Sequence, residues 1–473
     1  MADEVELKLD VAPGAAERLH AMPGFGGEWA AQLQLSVYFD TRERDLRRLG
    51  YTLRVRRIGD RFVQTVKSLE SGAGLFQRGE WECQIDGPEP DLSRLEDTPL
   101  ARLGAAKLTP LVSSDVTRRS FKTNGDGAMI EIVLDEGEMR AGQRRSSISE
   151  IELELVTGEP AALFALARRI DAQLPVELGV MSKAERGFAL AEGRLGMVAK
   201  AETVPLKPGM TIGEGFACIV SGCLRHFRLN EPLVIEKRQP EALHQARVAI
   251  RRLRSALSLF RPAIADAELP RLRDQLRRFS ADLGEARNFD VLLIRKMPSS
   301  QRRTLKARRE AAYDHVLAAM RSQPDRTLML DLAAWSTIGE WRGPKAASRP
   351  LKAFASRRID RLWHRLHHAR HVASMDDGER HRLRITVKKL RYALEFMEML
   401  YVHHQDRQRH FAKSLAALQE VLGELNDAAI ARSLLPSDDW LIGEKDGDHE
   451  LLRAAERALG QLHRTGPYWS RKA

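Results

Sequence analysis

Glu4-Val-Glu6-Leu-Lys8 and Glu150-Ile-Glu152-Leu-Glu154 place ionisable residues at every second position, with aliphatic residues between them. A β-strand sends alternate side chains to opposite faces, so each segment presents one charged face and one apolar face. Arg54-Val-Arg56 repeats the pattern with cations, and Glu80-Trp-Glu82 repeats it with acids. An open sheet that solvates these charges would account for any one of the segments taken alone. The whole set, with both signs, fits better inside a closed barrel. Two like charges about 4 Å apart repel by about 4 kcal/mol at an effective dielectric near 20, while a domain is stable by only about 5–15 kcal/mol. Inward carboxylates therefore need Lys, Arg or divalent metal beside them. Oxygen-only ligands suit hard ions, which makes Mg²⁺ or Mn²⁺ the expected cofactor.

The 473 residues allow two or three domains, and 43% hydrophobic content suffices for real cores. The first residues, Met1-Ala2-Asp3-Glu4, lack a basic head followed by an apolar run, and no stretch approaches the length of a membrane span. Cys83, Cys218 and Cys223 are odd in number and lack metal-ligand spacing. Together these features lead to the expectation of a cytoplasmic protein with reduced thiols and no membrane partner. The net charge of +11 is unevenly divided: residues 1–200 hold 27 Lys/Arg against 32 Asp/Glu, a balance of −5, and the remainder carries +16. Two domains with different jobs follow, the second attractive to polyanions.

Residues 1–200 read as strands at 3–10, 34–39, 51–57, 61–68, 79–85, 117–122, 128–134 and 147–156, with helices at 13–21, 160–173 and 182–191. Asn124-Gly125-Asp126-Gly127 marks a hairpin between two of the strands. The segment 195–208 reads as a linker. Beyond it, apolar residues recur at three- and four-residue spacing, which predicts helices at 210–229, 239–262, 266–285, 300–321, 325–341, 350–368, 376–401, 405–434 and 448–464. The expected class is α+β: an eight-stranded antiparallel closed barrel with accessory helices, then an all-α bundle over 209–465.

The helical half repeats itself. His244-Gln-Ala-Arg247-Val-Ala-Ile-Arg251-Arg252-Leu253-Arg254 matches His381-Arg-Leu-Arg384-Ile-Thr-Val-Lys388-Lys389-Leu390-Arg391. Leu283-Gly284-Glu285 and Leu422-Gly423-Glu424 follow at similar distance, each with an Asn and an Asp close behind: Asn288 and Asp290, Asn426 and Asp427. A pseudo-symmetric two-repeat bundle is the natural reading. At 100° per residue, His244, Arg247, Arg251 and Arg254 line one helix face, and His381, Arg384, Lys388 and Arg391 line its copy. Ala246, Ile250, Leu253 and Leu257 point the other way. Each ridge could track successive phosphates through charge-assisted hydrogen bonds. A solvated face is the plainer explanation of a single such helix, but acidic residues are absent from these positions in both copies. The two histidines would strengthen phosphate binding when protonated, below about pH 6.5.

In the first half, phosphate contacts fall to Lys8, Arg54, Arg56, Lys67, Arg118 and Lys183. Metal binding falls to Glu4, Glu6, Glu150, Glu152 and Glu154, with Asp135 beside them. Lys8, Glu6, Arg56 and Lys183 are the expected catalytic residues. Glu80 and Glu82 either join the lumen or balance its arginines. Tyr38-Phe39-Asp40-Thr41 reads as a strand end running into a turn, with Asp40 as a cap. Gly24-Phe25-Gly26-Gly27 lacks the Lys-Ser/Thr of a phosphate loop, which speaks against nucleotide binding by that route.

Glu4-x-Glu6-x-Lys8, Tyr38-Phe39-Asp40-Thr41, Arg54-x-Arg56, Lys67, Arg118, Asp135, Glu150-x-Glu152-x-Glu154 and Ser182-Lys183 together resemble the CYTH family, the triphosphate tunnel metalloenzymes. The resemblance covers about residues 1–200. It implies an eight-stranded tunnel that binds linear triphosphate and divalent metal. Lys8, Arg54, Arg56, Lys67, Arg118 and Lys183 would touch substrate. Glu4, Glu6, Asp135, Glu152 and Glu154 would hold metal, with Glu150 as a further candidate. The duplicated basic helices resemble the CHAD domain, associated with inorganic polyphosphate binding, over about 209–465. Chains that join the two modules in this order resemble bacterial inorganic triphosphatases. The alternatives are a non-catalytic polyphosphate-binding or targeting protein, a nucleoside- or thiamine-triphosphate hydrolase, and an adenylate cyclase. Nucleic acid is a rival ligand for the helical half.

Overall fold

The computed structural model describes residues 4–69, 73, 75–101, 107–294, 297–369, 371–434 and 445–469. The chain divides into two compact units. One comprises residues 1–199, 224–237 and 320–339; the other comprises 200–223, 238–319 and 340–473.

The first unit is built on one antiparallel sheet. Its strands are β1 (Glu4–Val11), β2 (Ala30–Thr41), β3 (Tyr51–Ile58), β4 (Arg61–Ser68), β5 (Leu75–Arg78), β6 (Glu80–Ile85), β7 (Leu108–Gly125), β8 (Ala128–Ala141), β9 (Arg144–Thr157) and β10 (Val176–Leu178). They pair in the order β10-β1-β9-β8-β7-β2-β3-β4-β6, and β5 pairs with β1. Among the described residues the sheet therefore has ten strands rather than the expected eight. The two extra ones, β5 and β10, span four and three residues, too short for an alternating pattern to register. The start of β7 also escapes its local sequence. Pro110, Ser113, Ser114 and Asp115 are poor strand formers, yet β7 pairs with β2 from Leu108 to Ser120, with a register shift beside Pro110. A proline is tolerated at such a bulge because the ladder is already broken there. The β7–β8 hairpin turns at Asp126 and Gly127, both with positive φ, as its Asn-Gly-Asp-Gly sequence foretells.

The two faces of this sheet have different partners. Leu7, Leu9, Ile151 and Leu153 are fully buried on one face, where helix α3 (Ala161–Asp171) packs against β1 and β9. Helix α4 (Lys183–Ala191) packs Ala184, Phe188 and Leu190 against Tyr38, Val112, Val116, Met139 and Ile148. The ladder registers place Val116 and Met139 on the same side as Arg118, so α4 lies on the charged face. Short helices α1 (Ala15–His20) and α2 (Asp45–Arg48) complete the strand connections. Asp40 does cap α2: its carboxylate accepts from Leu46 N at 2.9 Å and from Thr41 N at 2.7 Å.

Among the described residues of 212–465 the helices are α5 (Ile212–Lys237), α6 (Pro240–Ile264), α7 (Leu269–Leu292), α8 (Ser299–Arg321), α9 (Gln323–Ile338), α10 (Leu351–His367), α11 (Asp377–Phe396), α12 (Gln405–Leu434) and α13 (Lys445–Thr465). In the first unit α9 packs on α3. In the second, α6 packs on α7 and α11, and α11 packs on α10 and α12. Ala246, Ile250, Leu253 and Leu257 are buried as expected. The helix expected over 376–401 ends sooner, at Phe396, where Met397 departs from α geometry (φ −95°, ψ 7°) and a 3-10 segment, Glu398–His404, follows. Among the described residues no helix is long and apolar enough to cross a membrane.

Candidate active site

Strand register assembles the charged site. Lys8 lies opposite Glu152, Glu6 opposite Glu154, Asp135 opposite Glu150, and Arg118 opposite Asp135. Residues opposed across a ladder share a face, so β1, β9, β8 and β7 deliver their ionised side chains to one place. A capping box adds the last member. Ser182 accepts from Glu185 N while the Glu185 carboxylate accepts from Ser182 N, which starts α4 at Lys183.

Lys8 Nζ bonds Glu152 and lies 3.5 Å from Glu150 and 3.8 Å from Glu6. Lys183 Nζ bonds Glu150 and lies 2.6 Å from Asp135 and 3.1 Å from Glu152. Arg118 grips Asp135 with two hydrogen bonds, at 2.9 and 2.6 Å, and reaches Glu152 at 2.8 Å. Burial is the largest influence on Lys8, Arg118, Asp135, Glu152 and Lys183, and it disfavours their charged forms. The opposite charges overcome it. Glu152, Glu6 and Glu150 hold Lys8 above the usual lysine range. Asp135, Glu150 and Glu152 do the same for Lys183. Lys183, Lys8 and Arg118 hold Glu152 well below the usual carboxylate range. Lys8, Lys183, Arg118, Asp135 and Glu152 thus hold one another in their charged forms.

Beside it lies a cavity of about 620 Å³. Glu6, Lys8, Arg118, Glu152, Glu154 and Lys183 form one wall, and Arg54, Arg56 and Lys67 stand among the other lining residues. Arg56 donates to Ser36 Oγ at 3.3 Å. Burial, then the neighbouring Arg54 and Arg118, lower its pKa to about 10, so it remains a cation at neutral pH. Glu80 lies 2.9 Å from Lys67 and 3.7 Å from Arg54, so it balances these cations and does not line the cavity. Glu82 accepts from Thr65 at 3.3 Å. The side chain of Glu4 lies outside the described residues. Sequence reasoning missed Tyr38, Thr52, Thr65 and Ser68 as cavity lining. It also missed Glu131, which registers opposite Glu154 and pairs with Lys122 at 3.6 Å. These positions carry no alternating charge to mark them.

Two carboxylate trios offer oxygens within 4.8 Å of one another: Glu6, Glu152 and Glu154, and Asp135, Glu150 and Glu152. All-oxygen donor sets of this size fit a hard divalent cation.

The second unit gathers its own cations where α6 meets α11. Arg247 donates to Leu283 O at 2.8 Å, Arg251 to the Tyr392 hydroxyl at 2.6 Å, and Arg254 to Ser280 at 3.0 Å. Arg391 lies 3.3 Å from Glu395, and His381 contacts Asn426 at 3.3 Å. Burial, then Arg251 and Arg287, lower Arg247 to about 10; burial, then Arg251 and Arg384, lower Lys388 to about 7. Arg247, Arg251, Arg384 and Lys388 thus crowd one another, while Arg254 faces Arg273 and Arg277 instead. Arg287 belongs to this cluster and was not anticipated, and Asp427, noted in the sequence only as part of the repeat, joins it. His244 differs from an ordinary histidine before any ligand binds. Burial, then Arg287, lower its pKa to about 4, so it is neutral near pH 6.5 and gains no charge there.

A model of the CYTH domain matches residues 2–188, and a model of the CHAD domain matches residues 218–436. The chain joins a CYTH domain to a CHAD domain. An inorganic triphosphatase of Haemophilus influenzae is 27% identical over 198 residues, which cover 40% of this chain and 55% of that protein. The match therefore spans about half the length of that curated relative. The CHAD domain of the plant Ricinus communis is 32% identical, covering 57% of this chain and 92% of that one, with a TM-score of 0.46. A Hippeastrum protein described as a putative adenylyl cyclase with dominant triphosphatase activity is 24% identical, covering 41% and 97%, with a TM-score of 0.33. The buried charge cluster and its cavity lie within the CYTH span, and the α6–α11 cations lie within the CHAD span.

Proposed function

We propose that the chain is a metal-dependent hydrolase of inorganic triphosphate, using Mg²⁺ or Mn²⁺, whose CHAD domain binds inorganic polyphosphate. The observation that carries this reading is the meeting of Lys8, Lys183 and Arg118 with Glu6, Asp135, Glu150 and Glu152, beside a cavity lined by Arg54, Arg56 and Lys67. The sheet is read as a closed tunnel. Its support is that β5 and β6 are separated only by Gly79, yet β5 pairs with β1 and β6 with β4, near the two ends of the strand order.

In this reading Arg54, Arg56 and Lys67 bind and orient the phosphate chain, Arg56 through a fork of donors matched to phosphoryl oxygens. Lys8, Arg118 and Lys183 offset negative charge on the oxygens of the transferred group, which is the main work in phosphoryl transfer. Glu6, Glu152 and Glu154 border the cavity and would hold the metal. A divalent ion bound there supplies Lewis acidity toward phosphoryl oxygens. In the CHAD domain, the crowded cations of α6 and α11 would be relieved by successive phosphates, and the two helices are read as the two halves of a pseudo-symmetric repeat.

Purified protein with Mg²⁺ or Mn²⁺ is expected to release phosphate from tripolyphosphate in preference to ATP, thiamine triphosphate and pyrophosphate. Lys8→Ala and Glu6→Ala are each expected to abolish that release. Full turnover in both variants would overturn the site assignment, and tight polyphosphate binding without turnover would favour a capture protein.

A further inference from the structure

The two carboxylate trios share Glu152 but have different surroundings. Glu6, Glu152 and Glu154 border the cavity. Asp135 and Glu150 do not: they are 0% and 2% exposed and sit behind Glu152. In the outer trio Lys8 bonds Glu152 and lies 3.8 Å from Glu6, whereas in the inner trio a single ammonium reaches every member. Lys183 Nζ lies 2.6 Å from Asp135 and 3.1 Å from Glu152, and it bonds Glu150. One ammonium therefore touches all three carboxylates, as an ion seated among them would. Arg118 occupies both Asp135 oxygens and the far oxygen of Glu152.

We propose that Lys183 is a tethered substitute for a second metal ion: its ammonium fills the Asp135–Glu150–Glu152 trio, and a divalent cation enters only the Glu6–Glu152–Glu154 trio. The proposal rests on the metal-dependent reading above and deepens it by fixing the metal count and giving the Lys183 ammonium the place of one ion. Three physical points support it. A divalent ion in the inner trio would have to displace an ammonium that meets all three carboxylates and then sit beside Lys8 and Arg118, a like-charge encounter in a buried site. The inner trio is fully buried, and small divalent ions give up their water reluctantly. The tether costs no capture from solution, because the Ser182–Glu185 capping box fixes the start of α4 at Lys183.

Manganese titration of the full chain without substrate, read as free Mn²⁺ by electron paramagnetic resonance, counts the sites directly. One ion per chain is expected in the unsubstituted protein and in Lys183→Arg, which keeps the cation. Two are expected in Lys183→Met and Lys183→Gln, and one again when Asp135→Asn is added to either. Asp135→Asn alone is expected to leave the count at one, whereas Glu6→Gln weakens that ion at least tenfold. Two ions in the unsubstituted protein, or loss of the single ion in Asp135→Asn, would overturn the proposal even if neither Lys183 variant folds. A single ion in a folded Lys183→Met would overturn it as well. No bound Mn²⁺ in any form would instead sink the metal-dependent reading, and the proposal with it.

Discussion

Lys8 and Glu152 oppose each other across the β1–β9 ladder and bond directly, both almost wholly out of solvent. Breaking a buried ion pair from one side leaves an uncompensated charge, which costs about 3–5 kcal/mol. Lys8→Met is expected to lower the urea midpoint of the CYTH domain by a corresponding amount. The double variant Lys8→Met with Glu152→Gln is expected to recover much of that loss, while triphosphate turnover stays absent in both. A double variant no more stable than Lys8→Met would show that Glu152 is held by Lys183 and Arg118 alone.

Gly179 bears on the same lysine from the backbone side. Its N–H donates to Lys8 O at 2.9 Å, and a Cβ placed on it would lie 2.8 Å from Lys8 Cβ and 3.1 Å from Lys8 O. Strand β1 must yield to any side chain there. Gly179→Ala is expected to cost about 1–3 kcal/mol, as overpacking does, and to lower kcat because Lys8 moves with its strand. Thermal unfolding and steady-state kinetics check both effects, and unchanged kinetics would show that β1 holds Lys8 in place regardless.

The alternation of charge in β1, β3 and β9 was legible because period two maps directly onto one face of a sheet. What it could not reveal is order along the sheet. Arg118 and Asp135 meet only because β7 and β8 form a hairpin, and Asp135 meets Glu150 only through the β8–β9 register. Lys183 was legible as a cation but not as the occupant of a carboxylate trio, since that depends on α4 lying against the charged face. In the helices, the ridges showed in the repeat. The close approach of Arg251 to Arg384 and Lys388 depends on α6 crossing α11, which no single-helix pattern contains.

Arg56 is expected to govern substrate capture. It is largely buried, and burial followed by Arg54 and Arg118 lowers its pKa, so a phosphate would relieve like-charge crowding as well as accept hydrogen bonds. Arg56→Ala is expected to raise KM for tripolyphosphate about 10- to 100-fold, the loss of about 1.5–3 kcal/mol from a charged hydrogen bond, with a smaller fall in kcat. A fall in kcat alone would place Arg56 at the transition state instead.

Lys388 is expected to set the pH response of the proposed polyphosphate binding. It is faced by Arg251 of α6, by Arg384 and Arg391 of its own helix, and by Asp427 of α12; burial and then the first two of these lower its pKa to about 7. With the cluster empty, Lys388 sheds its proton as pH rises through about 7. A bound polyanion would hold that proton and carry the pKa back toward the ordinary lysine value of 10.5. The free form then binds fewer protons than the complex above pH 7, so affinity is expected to fall as pH rises, by up to about tenfold per unit. Below pH 7 the lysine is charged in both states and contributes no slope. Calorimetry between pH 6 and 9, in buffers of different ionisation enthalpy, should show proton uptake that grows above pH 7 in the unsubstituted protein and is reduced in Lys388→Met. Equal uptake in the two proteins would assign the linkage to another group of the cluster, and a flat affinity across the range would show that Lys388 keeps its proton when the cluster is empty.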